Sequence, residues 1–129
     1  MLLTEYLSGI TETIKEYSKT GLILSSELIA DARTEKMGLI KGKLTFIDGS
    51  KLFMTEYLDL RYKMEKLAYS FHYQDKEDNL MFRYDNAFHK PPLSYTDHKH
   101  IKGNIQESDV PDIKDILEEI ICDYLKASK

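Results

Sequence analysis

Three of the four histidines, His89, His98 and His100, fall within twelve residues of one another, in the stretch FRYDNAFHKPPLSYTDHKHIKG. The same stretch carries Arg83, Asp85, Asn86, Lys90, Asp97, Lys99 and Lys102. Histidine has the side chain whose unperturbed titration lies nearest neutral pH, so several of them beside Arg and Lys suit proton transfer or the holding of an anion. His98 and His100 stand at i and i+2. In extended backbone their rings point the same way, and Lys99 points oppositely. With His89 or Asp97 they could also supply three ligands to a divalent ion. The bland alternative is a solvated polar loop. No carboxylate at fixed helical spacing completes a recognised metal signature, so neither a metal nor a cofactor is expected.

Arg83-Tyr84-Asp85-Asn86 leads directly into the histidine segment. A strand end of this kind can mount a loop-borne group rigidly. Arg83 and Asp85 share a face by parity and could simply pair with each other, and Asp85-Asn86 could close an Asx-type turn on its own backbone. Glu56 shares parity with Leu52, Met54 and Leu58. If that face is the core, the carboxylate needs a partner such as Arg83 or a histidine, and a buried acid is a functional candidate. If Phe53, Thr55 and Tyr57 face inward instead, Glu56 is solvated. Tyr57, Tyr69 and Tyr73 have ring faces on which nucleobases could stack, although strand aromatics more often fill a core. Arg83, His98 and His100 are the candidate catalytic residues, expected to converge within reach of one phosphate. Truncating His98 or His100, in a polar loop, is expected to spare the fold.

The elements that must position these groups follow from hydrophobic periodicity. Leu3, Tyr6, Leu7, Ile10, Ile14 and Tyr17 recur at helical spacing and predict an amphipathic helix over about 2–19. Alternation predicts strands over about 22–31, 38–47, 51–58, 66–75 and 80–86, with a hairpin at Asp48-Gly49. Residues 87–107, with two prolines and no periodicity, read as a long ordered loop, a kind of segment uncommon unless functional or disordered. A last helix is predicted over about 110–127, capped by Ser108 or Asp109 with Pro111 in its first turn. The resulting expectation is a single α+β domain over 1–129. It has a five-stranded antiparallel meander, both helices on one face, and the other face at least partly open.

Composition narrows the function. The chain has 129 residues, 42% hydrophobic and 31% charged, an ordinary globular balance. No apolar run reaches the roughly 20 residues that span a bilayer, and the acid-containing N-terminus does not read as a signal peptide. The expectation is a cytoplasmic protein without a membrane partner. One cysteine, Cys122, excludes an internal disulfide framework. The net charge of −4 weighs against indiscriminate nucleic-acid binding. Yet residues 83–102 carry Arg83, Lys90, Lys99 and Lys102 against Asp85 and Asp97, a formal +2 before any histidine is protonated. That local excess suits a small anion or one reactive phosphodiester.

The succession MGLIKGKLTFIDGSKLFMTEYLD, YSFHYQD, FRYDNAFHK and DHKHI before a last amphipathic helix resembles the TumE-type toxin family of bacterial and archaeal toxin-antitoxin systems, over about Leu22 to Leu125. Its most specific pieces are Arg83-Tyr84-Asp85-Asn86-Ala87, His89 and His98-Lys99-His100. In the family pattern the alanine is usually followed by proline and a histidine pair, and here Phe88 and Lys90 occupy two of those places. The resemblance implies a growth-inhibiting protein neutralised by a cognate antitoxin. It places functional weight on Glu56, Arg83, Asp85, Asn86, His89, His98, Lys99 and His100. Two classes of activity stay open: a metal-independent ribonuclease using His98 and His100 as acid and base with Arg83 and Lys99 on the phosphate, and a non-catalytic module that blocks a cellular target. A metal-dependent hydrolase is a third. Whether two copies form a homodimer is not decided by the sequence.

Overall fold

The computed structural model describes residues 1–87 and 95–125. Helix α1 (Leu3–Ser18) is followed by strands β1 (Ile23–Thr34), β2 (Met37–Phe46), β3 (Lys51–Asp59), β4 (Glu65–Gln74), β5 (Leu80–Asp85), β6 (His98–Ile101) and β7 (Asn104–Glu107). Helix α2 (Ile113–Ile120) then runs into a π-helical segment, Ile121–Leu125. The strands form one sheet in sequence order, each antiparallel to the next.

The class is thus α+β with an antiparallel meander, but the sheet has seven strands where alternation predicts five. The two extra strands lie inside the segment read as loop. HKHI and NIQE are four residues each and largely polar, so they carry no apolar alternation to detect. What joins them is turn chemistry. Lys102 and Gly103 both have positive φ, 52° and 79°, the pairing that closes a tight two-residue hairpin compatible with strand twist. The last helix also starts later than predicted. Asp112 is its N-cap, its carboxylate accepting from the Asp115 N–H at 2.9 Å while the Asp115 carboxylate accepts from the Asp112 N–H at 3.1 Å. Pro111 therefore precedes the cap.

Period-two alternation sorts the sheet into two faces. Leu44, Leu52, Tyr73 and Phe82 are direct partners across β2 to β5, all buried, and Tyr124 of the π-helical segment packs its ring on Tyr73 and Phe82. Ile10 and Ile14 of α1 and Ile116, Leu117 and Ile120 of α2 join the same core. Gly42 sits among these positions because a Cβ there would come within 2.8 Å of Leu28 and 2.9 Å of Met54. The opposite face carries no helix among the described residues.

Glu56 is on the helix-covered face, 1 % exposed. Its partner is neither Arg83 nor a histidine. Lys66 Nζ lies 2.7 Å from Glu56 Oε2, Tyr6 Oη donates to Oε1 at 2.8 Å, and Lys66 also donates to the Pro111 carbonyl at 2.6 Å. Burial and the adjacent Glu56 charge push the Tyr6 hydroxyl well above its ordinary range, so it remains a donor. This cluster fastens α1, β3, β4 and the approach to α2. Removing one member of a buried ion pair strands the other. Lys66→Met is therefore expected to lower unfolding free energy by about 3–5 kcal/mol in urea titration, whereas Lys66→Met with Glu56→Leu should recover most of it.

Candidate functional site

The site lies on the helix-free face, at the end of β5. Strand register makes Arg83 the direct partner of His100, and Asp85 of His98, so all four side chains project to one side. They meet on one carboxylate. Arg83 Nε donates to Asp85 Oδ2 at 2.9 Å, and His98 Nε2 lies 2.7 Å from Asp85 Oδ1. His100 Nε2 is 3.5 Å from Oδ2, an ion-pair distance too long for a good hydrogen bond. The His98 and His100 rings meet edge to face, 4.8 Å between centroids. The convergence of Arg83, His98 and His100 expected from the sequence is present, and so is the plain Arg83–Asp85 pair.

Asp85 is 4 % exposed. Burial works against its charge, but the Ala87 N–H, the Arg83 guanidinium and His98 outweigh it and hold the carboxyl below its usual range. The Ala87 N–H to Oδ1 bond, 3.0 Å, is the Asx-type turn that ends β5.

His98 is fully buried, and its Nδ1 is 2.7 Å from the Thr96 carbonyl oxygen. Both ring nitrogens thus face oxygen atoms, of Asp85 on one side and Thr96 on the other. The two histidines expected to act together differ in burial: His98 is enclosed beside Asp85, whereas His100 is 24 % exposed. Truncating His98 is not a surface change either, since it would strand a buried carboxylate.

Three further candidates stand elsewhere. Lys99 points through the sheet to the helix side, where Nζ pairs with Glu119 Oε2 at 2.6 Å and lies 5.0 Å from the Tyr84 ring centroid. It is not available to a phosphate beside Arg83. Asn86 is used by the sheet: its Oδ1 accepts the Tyr69 N–H at 3.1 Å and its Nδ2 donates to the Leu67 carbonyl at 3.2 Å. Glu56 belongs to the core cluster on the far face. His89 lies outside the described residues. Of the tyrosines, Tyr69 and Tyr73 are buried in the core, with Tyr69 donating to Asp97 at 2.9 Å, so neither offers a face for a base.

The residue missed from the sequence is His72. It lies directly across β4–β5 from Arg83, and its Nδ1 accepts from Arg83 Nη1 at 3.2 Å while its Nε2 is 3.1 Å from Gln74 Oε1. Arg83 is therefore flanked by His72 and His100 on adjacent strands. The signal was parity: His72 alternates with the buried Tyr69, Phe71 and Tyr73, an ionisable group on the face that alternation leaves to solvent.

The donor atoms of Asp85, His98 and His100 lie within 4.8 Å of one another, a spacing three ligands of one cation would have. Arg83 competes with that use by placing a fixed positive charge on Asp85 Oδ2.

The family model described as Toxin TumE matches residues 11–127 of this chain. The chain belongs to the TumE toxin family. It is the toxin of a toxin-antitoxin system, and a cognate antitoxin is its partner. No curated protein and no solved structure matches it. No helix of the toxin among the described residues is long and apolar enough to cross a membrane.

The pH dependence of stability follows from Asp85. A carboxyl held below its unfolded value of about 3.9 contributes stability above that pH and loses it as pH falls through the lower folded value. Asp85→Asn is expected to unfold at lower urea concentration than wild type at pH 7, by about 3 kcal/mol. It should also show a shallower loss of stability between about pH 4 and pH 2, read by circular dichroism.

Proposed function

We propose that the toxin acts on RNA in the cytoplasm as a small metal-independent ribonuclease, with His100, Arg83 and His72 facing the substrate and Asp85 and His98 positioning them. The observation that carries this reading is the Arg83 guanidinium, held by Asp85 on one side and bonded to His72 on the other, with His100 across the strand from it. A phosphodiester on the guanidinium would have an imidazole to either side. In the reaction the ribose 2′-oxygen attacks phosphorus and gives its proton to one imidazole. The P–O5′ bond breaks, and the leaving oxygen takes a proton from the other. The products are a 2′,3′-cyclic phosphate and a 5′-hydroxyl. Arg83 offsets the charge on the equatorial oxygens. Asp85 fixes the guanidinium, and the buried His98 fixes Asp85.

A metal-dependent hydrolase is the second reading, favoured by the close donor atoms of Asp85, His98 and His100. Arg83 on the same carboxylate is what ranks it second.

His100→Ala is expected to lower RNA cleavage by about 10² to 10⁴ and to abolish growth inhibition, with antitoxin binding and thermal midpoint near wild type. Arg83→Ala should fall by about 10² to 10³. Cleavage should persist in chelator. Undiminished cleavage by His100→Ala would exclude the acid-base scheme, and loss in chelator restored by zinc would transfer the assignment to the metal reading. Growth inhibition by a protein that cleaves no RNA would favour a non-catalytic blocker.

A further inference from the structure

One row of side chains crosses the helix-free face perpendicular to the strands. Lys43 of β2 is the direct partner of Phe53 on β3, Phe53 of His72 on β4, His72 of Arg83 on β5, and Arg83 of His100 on β6. The contacts are continuous. Lys43 Nζ lies 5.9 Å from the Phe53 ring centroid, Phe53 meets His72 at 6.2 Å in an edge-to-face arrangement, and His72 bonds Arg83. At about 4.8 Å per strand, the four steps from Lys43 to His100 span roughly 19 Å. The Lys43 end opens into a groove of about 320 Å³ lined by Ile29, Lys41, Lys43, Phe53 and Thr55. Glu27, the partner of Lys43 on β1, also lines that groove.

This row is chemically unlike the helix-covered one a single residue away along each strand, where Leu44, Leu52, Tyr73 and Phe82 make core. An apolar ring, 36 % exposed, lies beside the Lys43 cation in a row that also holds Arg83, on a face with no helix over it among the described residues. Cations beside an exposed ring are the combination that holds single-stranded nucleic acid, through phosphate contacts and stacking. A duplex has its bases already stacked, so Phe53 could not take one.

We propose that Lys43 and Phe53 form a binding lane for single-stranded RNA, extending the reacting centre at His72, Arg83 and His100 by a few nucleotides toward β2. The inference rests on the ribonuclease reading for the ligand's identity. Phe53 stacks a base, Lys43 and Lys41 neutralise phosphates, and the strand continues over Arg83. This lane reconciles a net charge of −4 with RNA binding, because the cations it needs are few and confined to one face.

The test is equilibrium binding of a fluorescein-labelled oligouridylate of about ten nucleotides, a length suited to a small single-strand-binding domain. The full-length chain carries His100→Ala throughout, so that the probe is not consumed. Phe53→Leu, which keeps apolar bulk and removes the ring, is expected to weaken binding by about 5- to 150-fold, the range for one lost stack. Lys43→Ala should reduce the slope of log affinity against log salt by about 0.7, the value for one phosphate contact to a single strand. Lys15→Ala, an exposed change on α1, should alter neither. Circular dichroism and antitoxin binding report folding of each variant.

Unchanged oligouridylate binding in folded Phe53→Leu and Lys43→Ala overturns the lane, as does a parent chain that binds no oligouridylate. Loss of antitoxin binding with RNA affinity retained overturns it too, and gives the face to the antitoxin. Oligouridylate bound through Phe53 and Lys43 but left uncut by the wild-type chain would support the lane and sink the ribonuclease reading instead.

Discussion

The Asp85 carboxylate has been taken almost entirely out of water while keeping its charge, and what surrounds it follows from that. An isolated buried carboxylate costs many kcal/mol, so every lone pair must be answered. The chain answers with the Ala87 N–H, which ends β5, with His98, which docks the first residue of β6, and with Arg83 from the same strand. Each partner is a structural decision as well as a chemical one. The turn after β5, the pairing of β6 and the orientation of the guanidinium are all fixed by one side chain, and the groups a substrate would meet are preorganised by the same bonds that hold the sheet's second half together.

Strand parity then decides which groups can cooperate. Because successive side chains alternate, HKHI sends His98 and His100 to the helix-free face and Lys99 through to Glu119 on α2. The same rule puts Glu56 in the core and His72 beside Arg83, whereas the irregularity in the β3–β4 pairing between Tyr57 and Leu58 brings Lys66, which has the parity of His72, to the core side. Glu56 and Asp85, the two most deeply buried acids among the described residues, thus have different fates. Glu56 is closed off by Lys66 and Tyr6 and acts as a rivet between layers. Asp85 keeps partners, Arg83 and His100, that still reach solvent.

The first five strands, the Asp48-Gly49 hairpin and α1 were legible in the sequence because burial of one face imprints apolar alternation, and a turn needing positive φ selects glycine. β6 and β7 were not legible, since an edge hairpin of polar residues is held by backbone pairing and by Asp85, neither of which leaves a hydrophobic period. The site was legible as a list, Arg83, Asp85, His98 and His100, but not as an arrangement. That His98 lies behind Asp85 depends on burial. That His72 joins Arg83 depends on the β4–β5 register, shifted by an irregularity between Tyr73 and Gln74 that alternation within one strand cannot reveal. Lys66 was invisible as the partner of Glu56 for the same reason.

In the proposed mechanism, imidazoles flanking Arg83 drive attack by the RNA's own 2′-hydroxyl. The most direct measurement is the end chemistry of RNA cut by the purified toxin in excess chelator, read by mass spectrometry. That mechanism leaves 2′,3′-cyclic phosphate, or its hydrolysed 3′-phosphate, on one fragment and a 5′-hydroxyl on the other. Fragments ending in 3′-hydroxyl and 5′-phosphate, formed only when a divalent ion is restored, would contradict it.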